Sequence, residues 1–164
     1  MTNSPTTQRR LMPVDDYAFN DSAASVTPDW YDADQPLRSA VAHLASCSSK
    51  FNWVGVYVLN GSTLELGPYI GAPTEHTHIE VGVGVCGTAV ARNEDMNVPD
   101  VTATDNYLAC SLETRAEIVV LIRKGEQIFG QIDIDSDIPN VFTAADEALL
   151  NRIAGLLADV LAGC

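Results

Sequence analysis

Apolar residues recur at helical spacing near both ends of the chain and alternate in the middle. In QPLRSAVAHLASCSS (35–49), Leu37, Val41, Leu44 and Cys47 follow the helical period, so a helix is expected with Cys47 on its core side. In TAADEALLNRIAGLLADVLAG (143–163) the same period runs longer, and Thr143 followed by Asp146 supplies a capping-box start. Between these the period drops to two. FNWVGVYVLNGSTLELGPYIG (51–71) predicts a strand, an Asn60-Gly61 turn and a second strand. AEIVVLIRKGEQIFGQIDIDS predicts a second hairpin with Lys124-Gly125 at the bend. TEHTHIEV (74–81) reads as a short strand or extended loop, and GVGVCGTAVARN (82–93) as a Gly-rich turn opening a short helix. Residues 94–115 are polar and turn-rich, with a strand fragment around Met96–Val98.

Helix, hairpin, mixed segment, hairpin, helix implies an α+β fold on an antiparallel sheet. Both terminal helices are expected to cover one face, leaving the other for a pocket roofed by residues 72–115. Residues 1–34 are polar and carry Pro5, Pro13 and Pro28, so an arm or irregular N-terminal cap is expected there, with the domain itself in 35–164. No repeat or low-complexity tract interrupts the pattern.

Charge narrows the partners. A formal net charge of −13 disfavours phosphate backbones and anionic membrane surfaces, so no nucleic acid and no membrane are expected. No apolar run approaches the roughly 20 residues of a membrane span. The Arg9-Arg10 pair has no apolar segment behind it, so no signal peptide and a cytoplasmic location are expected. Four cysteines in that compartment point to free, catalytic or redox-active thiols and not to a disulfide framework.

Several residues could carry chemistry. GVGVCG matches G-x-G-x-x-G, but it lies mid-chain and runs into a polar loop, outside the strand–turn–helix unit of a dinucleotide site. Its amides can still face an anion such as a carboxylate, because the first N–H groups of a helix lack partners. A bare helix cap is the plainer reading. Cys86 sits at that helix start, where the helix dipole favours a thiolate; a small buried residue is the alternative. In QIDIDSD, Ile132 and Ile134 take one face of a strand, while Gln131, Asp133, Asp135 and Asp137 take the other. Like charges on one face suit either a solvated edge strand or a cationic group such as an ammonium or a metal. A calcium loop is excluded, since Ile138 stands where glycine is required and Ala144 where glutamate is. Glu117 opens EIVVLI and would join the Asp133 and Asp135 side if the two strands pair. Trp53 and Tyr57 share a face, either as core aromatics or as walls of an apolar slot. His76 and His78 also share a face, but no closed zinc pattern forms with Cys86 or Cys110, and no metal is expected. His43 is expected at the surface or boundary of its helix.

NWVGVYVL, LELGPYIG, GVGVCGTAVA, VPDV, NYLAC, EIVVLI and GQIDIDS, in this order from Phe51 to Asp137, closely resemble a GAF domain. More narrowly, they resemble the free methionine-R-sulfoxide reductase family. The resemblance implies an antiparallel sheet of about six strands. It implies Cys110 as the nucleophile, with Cys86, Glu117, Asp133 and Asp135 beside it, and an aromatic box of Trp53 and Tyr57. It also implies a cytoplasmic homodimer with no bound cofactor, recycled by thioredoxin with NADPH as the external source of electrons. The chemistry fits these types. A Cys110 thiolate attacks the sulfoxide sulfur, and a carboxyl kept protonated by like-charged neighbours assists the oxygen. The acids suit the substrate ammonium, the backbone at Gly84, Val85 and Gly87 its carboxylate, and the aromatics its methyl group.

One position departs from the family. The family carries a further cysteine ten residues before that of GVCGTA, where this chain has His76. Cys86 then resolves Cys110 directly, or an external thiol does, or turnover is lost. The competing expectation is a GAF module that binds a small amino-acid-like ligand, or senses oxidants through Cys86 and Cys110, without turnover.

Overall fold

The computed structural model describes residues 34–105 and 112–163. The expected N-terminal arm and Cys110 therefore lie outside the described residues. The elements run α1 (Asp34–Cys47), β1 (Trp53–Asn60), β2 (Thr63–Ile70), β3 (His78–Glu80), α2 (Gly84–Arg92), β4 (Met96–Val98), β5 (Ala116–Lys124), β6 (Gln127–Ser136) and α3 (Ala144–Ala162). The strands form one sheet in the order β3-β2-β1-β6-β5-β4, and each neighbouring pair is antiparallel. This is the GAF-like α+β sheet of six strands that the motifs predict.

Both hairpins form, each with its loop one residue later than the turn motif suggests. Asn60 pairs with Thr63, leaving Gly61-Ser62 as the loop, and Lys124 pairs with Gln127, leaving Gly125-Glu126. The left-handed position falls on Gly61 and Gly125, with φ of 61° and 57°. In each case glycine takes the residue that needs positive φ, and this sets the register.

Strand alternation divides the sheet into two unlike faces. Val54, Val56 and Val58 of β1, Ile118, Val120 and Ile122 of β5, and Ile132 and Ile134 of β6 form one apolar layer. Leu37, Val41 and Leu44 of α1, with Leu150, Ala154, Leu157 and Leu161 of α3, close it from outside. Thr143 caps α3 in a full capping box with Asp146, which also binds Lys50 Nζ at 2.6 Å. Cys47 does not join this core. It is exposed at the end of α1, with its Sγ 3.7 Å from His43 Nε2. At about 100° per residue, Cys47 lies roughly 80° from the Leu37–Val41–Leu44 stripe, which makes it a flank position. His43 is exposed, as expected.

The opposite face packs against α2 and the loops around it. Trp53, Tyr57, Val119 and Leu121 meet Ile79, Val85, Cys86, Ala89, Val90, Val98 and Val101 there. Residues 72–105 thus roof the face that the terminal helices leave uncovered. Among the described residues, no helix is long and apolar enough to cross a membrane.

Candidate active site

Three rows of side chains cross β1, β6 and β5 on the roofed face. The register sets Trp53, Asp135 and Glu117 abreast; then Gly55, Asp133 and Val119; then Tyr57, Gln131 and Leu121. The aspartates therefore stand on a central strand. The edge-strand reading of QIDIDSD fails because β6 lies between β1 and β5, and Asp133 and Asp135 are 0% and 2% exposed. Period-two alternation that sends Ile132 and Ile134 into the helix-covered core necessarily sends these carboxyls under α2.

Cys86, at the third position of α2, completes the cluster. Its Sγ lies 3.7 Å from Glu117 Oε1, and both residues are buried. The thiol, a Glu117 oxygen and an Asp133 oxygen all lie within 4.8 Å of one another. The histidines are not part of this group. His76 contributes its backbone carbonyl to the Tyr57 hydroxyl at 2.9 Å, and exposed His78 meets Thr77 Oγ1 through Nδ1 at 3.0 Å.

Burial, then the charges of Asp133 and Asp135, hold the Glu117 carboxyl well above the ordinary carboxylate range, while the Cys86 thiol pulls weakly the other way. Burial pushes Asp133 up to about 7, offset in part by the adjacent Cys86 and Glu117 groups. A carboxyl that is protonated near neutral pH can donate a proton, and a solvated surface carboxylate cannot.

The aromatic side is fixed by close contacts. The Trp53 ring stacks on Tyr69 with centroids 5.2 Å apart, and its Nε1 donates to Ala72 O at 3.1 Å. It lies flat over Gly55, where a Cβ would sit 2.3 Å from Trp53 Cη2. Tyr57 is fully buried with its centroid 6.4 Å from that of Trp53. A cleft of about 150 Å³ opens beside this wall, lined by Asn52, Trp53, Ala72, Glu113, Thr114, Asp135, Ser136 and Asp137. Trp53 and Asp135 face the cleft; Tyr57 belongs to the packed interior behind it.

The turn before α2 is partly committed to its own backbone. Gly82 N–H donates to Gly87 O at 2.8 Å, Val83 N–H to Glu80 O at 3.0 Å, and Gly87 N–H to Val83 O at 2.9 Å. Gly87 therefore serves packing: a Cβ there would lie 2.4 Å from Glu80 O. Gly84 and Val85 are buried in the first turn of the helix. Two residues here were not among the expected site residues. Gln131 is fully buried and neither of its amide atoms has a hydrogen-bond partner among the described residues. Asn52 lines the cleft, its side-chain oxygen accepting from Ser136 Oγ at 3.3 Å and Asp137 N–H at 2.9 Å. Gln131 was legible from strand alternation, but Asn52 needed the β1–β6 register.

Fold and site together define an α+β domain in which one face of an antiparallel sheet is given to a buried thiol–carboxyl site beside an aromatic-walled cleft. A family model for the GAF domain matches residues 25–161. The chain belongs to the GAF family and is homologous to the free methionine-R-sulfoxide reductases. It is 43% identical over 126 residues to the free methionine-R-sulfoxide reductase of Escherichia coli K12, covering 77% of this chain and 76% of that one. The type II free methionine-R-sulfoxide reductase of Thermoplasma acidophilum superposes with a TM-score of 0.78 at 38% identity, covering 82% of this chain and 95% of that one. The Neisseria meningitidis enzyme, solved in complex with its substrate, superposes with a TM-score of 0.71 at 30% identity, covering 82% and 78%.

Proposed function

We propose that this chain reduces free methionine-R-sulfoxide to methionine. The observation that carries the reading is the buried Cys86–Glu117–Asp133 cluster behind a cleft walled by Trp53 and Asp135, in a chain 43% identical to a reductase of that substrate. Cys110 is the nucleophile, and its thiolate attacks the sulfoxide sulfur. Glu117, protonated because it is buried among like charges, gives its proton to the sulfoxide oxygen. Asp135, with Asp133 behind it, receives the substrate ammonium. The amides of Gly84 and Val85 receive the carboxylate, and Trp53 covers the methyl group.

Oxygen passes to Cys110, which is oxidised by two electrons to the sulfenic acid, while the sulfoxide is reduced to the thioether. The Cys86 thiol then displaces the sulfenic oxygen as water and leaves a Cys86–Cys110 disulfide. Thioredoxin, supplied with electrons by NADPH, reduces that disulfide and restores both thiols. His76 stands where the family has a further cysteine, so Cys86 is the partner thiol of this scheme. The family resemblance further favours a homodimer in the cytoplasm.

The test is NADPH consumption with thioredoxin and thioredoxin reductase on free methionine-R-sulfoxide. Turnover is expected in the wild type and none in Cys110→Ser. Cys86→Ser is expected to release one methionine per chain and then stop. A fully reduced wild type that binds the sulfoxide but consumes none overturns the reductase reading and leaves the non-catalytic binding module.

A further inference from the structure

We infer that Cys86, Glu117 and Asp133 form a binding site for a thiophilic divalent cation of the zinc type. One thiol sulfur and two carboxyl oxygens, from α2, β5 and β6, converge within 4.8 Å. A tetrahedral zinc with a thiolate at about 2.3 Å and a carboxylate oxygen at about 2.0 Å holds those two atoms about 3.5 Å apart. Cys86 Sγ and Glu117 Oε1 already stand 3.7 Å apart. Drawing in the remaining atoms takes less than about 1.5 Å, within reach of side-chain rotation.

A second observation points to a ligand independently of this clustering. Asp133 is fully buried, and among the described residues neither of its carboxylate oxygens meets a hydrogen-bond donor outside the cluster it shares with Cys86 and Glu117. Buried acceptors in native folds are nearly always satisfied, and a cation satisfies a carboxylate set among other acid groups. The donor set selects the metal. A thiolate with two carboxylates suits zinc or cobalt, and it rejects magnesium and calcium, which take oxygen alone. Three protein ligands leave one position of a tetrahedral ion open. Binding releases the Cys86 thiol proton, the Glu117 carboxyl proton and any proton held by Asp133 to solvent, and changes no oxidation state. The site uses side chains of the proposed reductase but does not depend on that reading, because it is detected without turnover. A bound cation would also occupy the proton donor and the partner thiol, making the metal an inhibitor of that reaction.

The experiment is titration of the reduced, full-length protein with cobalt(II) under anaerobic conditions, free of added thiols. One equivalent is expected to raise a thiolate-to-cobalt charge-transfer band with strong visible bands of tetrahedral type, and zinc is expected to bleach both while magnesium and calcium do not. Cys86→Ser should abolish the charge-transfer band, and Asp133→Asn should weaken binding at least tenfold, with a cooperative melt confirming that each variant folds. Cys47→Ala, which removes the exposed thiol beside His43, should leave the spectrum unchanged. Absence of the band in wild type, its survival in Cys86→Ser, or its loss in Cys47→Ala overturns the assignment.

Discussion

Asp133→Asn isolates the cost of holding an acid under α2. Asp133 lies between Gly55 and Val119, fully buried, with its pKa pushed up from 3.8 to about 7. Well below pH 3.8 the group is protonated in both folded and unfolded chains and costs nothing. As pH rises, the unfolded chain releases the proton first, so stability falls until the pH passes about 7 and then levels. At 1.36 kcal/mol per pH unit, that span costs the wild type about 4 kcal/mol by pH 8. Asparagine keeps the shape and cannot ionise, so the stability of the variant relative to wild type should climb by about 4 kcal/mol between pH 4 and pH 8. With a urea slope of about 2 kcal/mol/M, the midpoint difference should widen by about 2 M. Other groups cancel in the comparison except Glu117, whose upward shift draws on the Asp133 charge; removing that charge acts in the same direction. The assay is urea unfolding of both proteins across that range, in the presence of a metal chelator. Parallel curves, or a variant that loses stability faster than wild type, would refute the reasoning.

The other predictions rest on different contacts. Glu117→Gln should lower kcat/KM by about 10²- to 10⁴-fold and remove the alkaline fall in rate that deprotonation of Glu117 gives the wild type, read from a pH–rate profile. Gly55→Ala puts a methyl 2.3 Å from Trp53 Cη2, so the ring must move. Stability should fall by about 1–3 kcal/mol, with an altered near-ultraviolet circular dichroism signal and a raised KM. Thr143→Ala breaks the capping box of α3, remote from the cleft, and should cost about 1 kcal/mol, or a Tm drop of about 3 °C, with turnover unchanged.

Most of the fold was legible because the hydrophobic period changes with the element. Alternation around Ile132 and Ile134 already separated the aspartates from the core, and Thr143 with Asp146 marked the start of α3 within a residue. The hairpin loops shifted by one residue because glycine at positive φ, and not the Asn-Gly or Lys-Gly pair as such, sets the turn. Cys47 was misjudged because a fourth position at loose helical spacing can sit on the flank of a stripe three others define. The site was less legible than the fold. Residue types and alternation brought Glu117, Asp133 and Asp135 to one face, but whether that face was solvated depended on strand order. Strand order depends on which hairpins lie side by side, and nothing local encodes that. The contact between Cys86 and Glu117 is of the same kind, joining residues 31 positions apart through the packing of α2 on β5.

That dependence explains why the acids are tolerated at all. Asp133, Asp135 and Glu117 bury three acid groups in neighbouring rows of a central sheet, and the apolar layer on the other face offsets the cost of burying them. Val54, Val56, Ile118, Val120, Ile132 and Ile134 lie on the same strands as the site and are sealed by two helices, so the strands are held whether or not the acids are comfortable. A rigid sheet can therefore keep carboxyls where their protons are held near neutral pH, a condition a flexible loop could not impose. Cys86 reaches them from α2, whose first turn is tied to the preceding loop by the Gly82–Gly87 and Val83–Glu80 bonds. The thiol is thus fixed against the acid from one side and the sheet fixes the acid from the other. Sequence rules break where both constraints meet, and it is there that chemistry is expected.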